Sequence, residues 1–548
     1  MRIFIEKFIN SLQGKTTKIY LILANIILVI FAIWFSNVGL LPFSNTGDFL
    51  FFIVLGLLFA IYRPGWAFVF FIGAIALENI NLAPQSLGLA IRPYQLLGAL
   101  IIIALIIRTV MKRLPLPASE FFPKFKWYDA LPIVFALGGF LSSVGAINKT
   151  MSLKQSVVAL SFVALYFLAR IYIQSFSDLK RIAPFFISSA VVVTLYGILQ
   201  NILFIYGGNS FEVMPGRPNA TFTEPDWYGI YLIFALAVLY GVIFYLKNRN
   251  RLLIFGYWLL TVLVIISLIL TVSRSAWVGA IFVTLVFLKS TLLRKYADFN
   301  METQSKWQSL VAILKFRNFD WKEFFRMLRS IVIVIIISIG VVYLFGLTSF
   351  QLGNRVISTG GLQKITIACV STGVTIPEKI ANINELAQYG CRHINLEDIN
   401  QEKSLGNNVL EIYRTDPNIS TRSEIYKKSW QQIKQHPILG IGWGSISTIL
   451  GSDERGAGLN ASNIFLEVWL GAGLIGFLSF VVLLGYILIV SILAFISNTD
   501  RNKNGVAIVF VMLGWAAIVI SNLFNSGIFL GFVWVYLAIA ISLLANKK

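Results

Sequence analysis

Charge is what this sequence has least of. Only 13% of its 548 residues are Asp, Glu, Lys or Arg, against 57% hydrophobic. No soluble core could absorb that much apolar sequence, so a water-soluble globular fold is excluded. Histidine is scarcer still. His393 and His436 are the only two, so an imidazole base has two candidates. Cysteine also occurs twice, at Cys369 and Cys391 in one hydrophilic stretch, where a disulfide and two free thiols are both open. No internal repeat is evident. No small-residue cleavage site follows the first apolar run, Ile19 to Phe35, which reads as a retained helix rather than a signal peptide.

What is present is a series of apolar runs near the length needed to cross a bilayer. With a mean hydropathy of +0.78, they predict an all-α integral membrane protein of about fourteen transmembrane helices. The expected centres are Ile27, Leu55, Phe71, Ile102, Leu137, Val163, Thr194, Ala235, Val264, Phe282, Ile336, Val482, Trp515 and Trp534. The run around Phe71 is the weakest, because Glu78 and Pro84 truncate it, and a re-entrant segment fits it too.

The formal charge of +20 does not mark a nucleic-acid partner, because the basic residues are segregated. Residues 289–329 carry nine Lys/Arg against four Asp/Glu, whereas residues 351–459 carry eleven against ten. Fourteen alternating spans put every strongly basic connection on one side, the cytoplasmic one by the positive-inside rule. Both termini then lie in the cytoplasm. Residues 1–350 hold the first eleven helices and the basic loop 289–329. Residues 351–462 form one large extracytoplasmic loop domain, and residues 463–548 hold the last three helices. The Gly207 to Pro225 loop, the Ser273-Arg274-Ser275 turn and the long loop all fall on the outer side.

Within the long loop, Ile365 to Val370 reads as a strand and Pro377 to Tyr389 as a helix. Thr421-x-x-Glu424 has the capping-box spacing for a second helix, with Tyr426, Trp430 and Ile433 as its apolar face and Pro437 as its end. Glycines at 440, 442 and 444 permit tight turns or close backbone approach.

Two arginines stand out. Arg217 sits in a Gly- and Pro-rich loop with Glu224 and Asp226, and Arg274 interrupts an apolar run. An intramembrane arginine costs several kcal/mol unless partnered, so a functional role is the default reading, with a salt bridge to Glu224, Asp226 or Glu467 as the structural one. The planar guanidinium fork suits phosphate oxygens and keeps its charge.

These motifs resemble the O-antigen ligase and polysaccharide polymerase family of bacterial membrane glycosyltransferases. The resemblance covers about residues 180–490 (roughly four short motifs in order): the Arg217 loop, Ser273-Arg274, Arg422 with His436 to Gly444, and Asn460 to Glu467 with Gly473 to Gly476. It implies transfer of a glycan from undecaprenyl diphosphate to an acceptor hydroxyl, a glycan or a lipid-glycan. The reaction would occur on the outer face of the bacterial cytoplasmic membrane, with no metal or nucleotide cofactor. By implication Arg217 and Arg274 hold the diphosphate, while Arg422, His436, Ser462 and Asn463 contribute to substrate binding. Ligases of the family carry a histidine where this chain has Ser462, and serine has no useful basicity near neutral pH. Glu467, expected on one helical stripe with Asn460 and Asn463, is the candidate base, and His436 the second. Polymerisation is therefore the expected activity. A transporter or flippase of lipid-linked glycans is the alternative, weakened by the missing repeat.

Overall fold

The structure is a computed structural model. It describes residues 15–114, 121–246, 251–293, 319–347, 362–370, 376–380, 383–394, 399–415, 417–451, 458–497 and 504–545. Each of the fourteen expected centres falls within a helix. In chain order these are α1 Lys15–Asn37, α2 Thr46–Tyr62, α3 Pro64–Ala74, α4 Pro93–Val110, α5 Trp127–Val144, α6 Lys149–Tyr172, α7 Phe176–Ile205 and α8 Pro225–Leu246. They continue with α9 Arg251–Leu270, α10 Arg274–Leu292 and α11 Trp321–Leu344. Three more follow the hydrophilic stretch: α15 Ile464–Ser497, α16 Asn504–Asn522 and α17 Gly531–Ala545. Among the described residues, eleven helices are long and apolar enough to cross a membrane, while α2, α3 and α17 are shorter. The expectation of fourteen spans therefore reduces to eleven candidates, because apolar composition alone does not set helix length. The chain is a multi-pass membrane protein.

Helices that are apolar all round lie inside the bundle. The centre is α8, with α16 against it and α17 enclosed except at its last residues. Small residues allow the closest crossings, as expected where lipid gives no hydrophobic drive between helices. A Cβ on Gly138 of α5 would stand 2.7 Å from the carbonyl of Ala472 and the amide of Gly476 on α15. At the opposite end from the loops described below, Arg170 of α6 and Asp129 of α5 form a buried ion pair at 3.0 Å. Tyr166 also donates to Asp129, and Arg170 donates to Ser542 of α17. Burying these charges is tolerable because every partner is supplied.

The hydrophilic stretch contains a four-stranded sheet, β1 Leu362–Cys369, β2 Lys379–Ile380, β3 Cys391–His393 and β4 Asn408–Thr415, in the order β2-β4-β1-β3. Strand β1 pairs antiparallel with β3 and β4, and β2 runs parallel to β4. Alternate residues Ile365, Ile367 and Cys369 face its core. Cys369 and Cys391 are register partners and form a disulfide. The helix expected over Pro377 to Tyr389 is replaced by β2 and a 3-10 turn, Ile383–Tyr389. Pairing with β4 claims the first of these residues, so tertiary pairing overrides local periodicity.

After short α12 Ile399–Ser404, helix α13 spans Pro417–Gln435, and α14 Ile446–Leu450 follows. Because α13 begins at Pro417, Thr421-x-x-Glu424 lies inside it and is no capping box. Glu424 instead pairs with Lys428 one turn on. The buried face is Ile425, Ser429 and Ile433, whereas Trp430 is 47% exposed with its ring edge-on to Trp469.

Helix α15 is broken at Gly473, whose φ of 66° is left-handed. The following amide, Leu474 N, donates to Ile438 O, and the amide of Ile441 donates to Leu470 O. The His436 to Gly444 segment thus inserts its backbone into the gap, and Trp443 is fully buried beneath Gly471. Gly440 has φ +69°, and a Cβ there would meet Leu470 O at 2.5 Å. Gly440→Ala should therefore destabilise the protein by about 1–3 kcal/mol or more, read as a lower unfolding temperature in detergent.

Candidate functional site

Helices α8, α10, α15 and α17 all begin at one end of the bundle, where α7, α9 and α16 stop. The connections at that end are stitched together. Gln200 of α7 accepts from Ala220 N and donates to Phe211 O, which fixes the 206–224 loop. Thr221 reaches the 75–92 segment through Ala76 O and Asn79 N. Arg217 donates from Nε to Thr271 O at 3.0 Å and from its terminal nitrogen to Asp226 Oδ1 at 3.3 Å. Arg217 is thereby tied to the turn that carries Ser273-Arg274-Ser275. Asp226, one of the carboxylates weighed as a salt-bridge partner for Arg274, pairs instead with Arg217.

Arg274 opens α10 from a half-buried position and is not free of neighbours. A cation there faces the positive end of the helix dipole, an arrangement that an anion would relieve. Ser273 and Ser275 share a hydrogen bond, and Asn525 donates to Ser275 Oγ at 2.9 Å. Ser526, next to Asn525, lies against the carboxylate of Glu467. Glu467 is buried and accepts from Ala461 N at 2.8 Å. Arg217, Arg274 and Glu467 therefore border one polar seam, in which Ser526 Oγ makes no hydrogen bond.

Asn460, Asn463 and Glu467 do not share a helical stripe, because α15 starts only at Ile464. Asn463 caps it by accepting from Phe465 N and donates across to Leu523 O. Ser462 is left-handed at φ 49°, and its carbonyl accepts from Tyr426 of α13. Arg422 is half-buried one turn earlier on α13. His436 is exposed at the end of α13, and its carbonyl accepts from Gly440 N, the role of a turn residue. Of the seven residues read from sequence, five lie on the seam or its edge. Arg422 and His436 stand on the helix and turn that flank it.

Sequence reasoning missed two contributors. The 523–530 turn supplies Asn525 and Ser526, and its cluster of polar residues between two apolar runs was the available signal. Glu78 accepts from Tyr94 and from Gly531 N, and pairs with Arg92 at 3.1 Å, so a second arginine-carboxylate pair stands at the same end. Backbone strain also concentrates here. Of the five non-glycine residues with positive φ among those described, Phe211, Ala220, Val272 and Ser462 lie at this end. Val272, β-branched and immediately before Ser273-Arg274, is the most costly of them.

Glu212, beside this loop, accepts from Gly216 N, and burial pushes its carboxyl up to about 7. Its folded pKa exceeds the unfolded one, so its contribution to stability is full below about 4.5 and lost as pH rises through about 7. Thermal unfolding in detergent should show stability falling over that window, and Glu212→Gln should flatten the dependence.

The fold and the seam define a multi-pass helical membrane protein with a polar, arginine-bearing site where four helices begin. Residues 259–481 match the O-Antigen ligase family model, and that match supports similarity of this region to the O-antigen ligase and polysaccharide polymerase family. The match is narrower than 180–490 and takes in Arg274, Arg422, His436, Ser462, Asn463 and Glu467, leaving Arg217 outside. No curated protein matches the chain. That family is one of glycosyltransferase-like ligases and polymerases, so the matched region is similar to an enzyme domain of that class.

Proposed function

We propose that the protein is a bacterial cell-surface polysaccharide polymerase. An acceptor hydroxyl of one glycan attacks the anomeric carbon of a second, and the bond to undecaprenyl diphosphate breaks. The observation that carries this reading is the tie of Arg217 to the turn bearing Arg274, beside the N-termini of α8 and α10. Two guanidinium groups and two helix dipoles favour a diphosphate there and stabilise the charge that grows on it as it leaves. Glu467 takes the acceptor proton, which supplies the basicity that Ser462 lacks. The reaction requires neither metal nor nucleotide, since the diphosphate ester already carries the leaving group. Polymerisation is favoured over ligation to a lipid core because the family's ligase histidine is replaced.

Purified protein given a lipid-linked repeat unit should yield longer glycans and free undecaprenyl diphosphate. Recovery of unextended donor from a folded preparation would overturn the reading. The active end faces outward in this account. In a cysteine-free background, a cysteine at Ser210 should react with an impermeant reagent in intact cells, and one at Lys126 should not. Asn354, Ser452 and Lys315, the other positions suited to this test, lie outside the described residues.

A further inference from the structure

At the end opposite the seam, an open apolar groove runs between α3, α7, α8, α16 and α17. Phe186, Phe234, Val238, Phe510 and Phe532 line it, and Lys180 closes it. The Lys180 ammonium lies over the rings of Phe176 and Tyr245, 5.3 and 5.4 Å from their centroids, so its stem lines the groove while its charge stays at the mouth. Arg181 is adjacent, and Lys18 of α1 is near enough for their charges to repel. The neighbouring carboxylate, Asp178, is used up in capping α7 through Ser175. Among the described residues, Lys180 is the cation lining the mouth, with Arg181 next to it on α7 and Lys18 within charge range of Arg181, an arrangement that favours an anion. From Phe176 to Phe186 the groove follows α7 for ten residues, about 15 Å, which is half the hydrocarbon thickness of a bilayer.

We propose that this groove binds one anionic glycerophospholipid from the leaflet at the basic end. An acyl chain lies along α7 and α8, and the phosphate sits at Lys180 and Arg181. Basic pockets between helices recognise anionic headgroups in this way. The single-leaflet length and the cationic mouth set this site apart from the lipid-linked donor, whose diphosphate would sit at the other end. It does not depend on the proposed polymerase activity.

The test uses the full chain in detergent, stripped of lipid and titrated with phosphatidylglycerol or phosphatidylcholine under native mass spectrometry. One phosphatidylglycerol should remain per chain, and phosphatidylcholine should bind at least tenfold more weakly. Lys180→Gln with Arg181→Gln should weaken phosphatidylglycerol about thirtyfold, to the level of phosphatidylcholine. A photoactivatable phosphatidylglycerol should label peptides of α7, α8 or α17 in the unaltered protein, which keeps the test independent of variant folding. Equal binding of both lipids, labelling elsewhere, an unchanged affinity in the double variant, or a polyprenyl diphosphate occupying the groove would each overturn the proposal.

Discussion

Arg274→Lys should lower turnover by about 10²–10³-fold, the scale on which a positioned charge donor acts in a transition state. The substitution keeps the positive charge at the start of α10 but removes the planar fork that can span two phosphate oxygens. Arg217→Ala should instead raise the donor concentration needed for half-maximal rate, because a phosphate contact disappears on binding. Arg217 also holds Asp226 and Thr271 O, so a structural role must be separated from a binding one. Asp226→Asn does this, since it weakens the same ion pair while leaving the guanidinium in place. If Asp226→Asn matches Arg217→Ala in donor affinity, Arg217 is a brace for the loop. If Asp226→Asn is milder, it is a ligand-binding group. Normal polymerisation by both arginine variants, folded and inserted, would move the site elsewhere.

Glu467→Gln should lower turnover by about 10²–10⁴-fold with donor binding nearly unchanged, the usual effect of losing a general base. The structure sharpens this test, because Glu467 also holds the 460–463 turn by accepting from Ala461 N. Glutamine keeps an acceptor oxygen at that distance, so the turn and the cap of α15 should survive. Alanine removes both basicity and acceptor, and leaves the buried amide of Ala461 without that partner, a cost of about 1–3 kcal/mol. Glu467→Ala should therefore lose stability as well as activity, whereas Glu467→Gln should lose activity alone. Full activity in Glu467→Gln together with loss in His436→Ala, both folded, would assign the base to the histidine at the end of α13.

Much of the site was legible because arginines in apolar surroundings are costly and conspicuous. Arg274 stands out on that ground and Arg217 by its Gly- and Pro-rich loop with two acids, and Arg217 donates to the turn that bears Arg274. The capping box at Thr421 and the stripe through Asn460, Asn463 and Glu467 failed for a common reason. Each assumed that a helix begins where local chemistry permits, while packing moved the start to Pro417 and Ile464.

The sequence alone determined where the apolar helices lie, since the length and composition of each run are local properties, and bilayer thickness turns them directly into candidate spans. It also grouped the Arg217 loop and the Ser273-Arg274-Ser275 turn at one end of the bundle, where the structure places both. Only the tertiary structure decided the polar pairings. Glu78 meets Gly531 across 453 positions, Asn525 meets Ser275 across 250, and α15 breaks at Gly473 because a distant backbone segment satisfies the freed groups. Inside a membrane an unpaired polar group finds no water, so each must find its partner in the folded bundle, and one-dimensional periodicity carries no record of which partner that is.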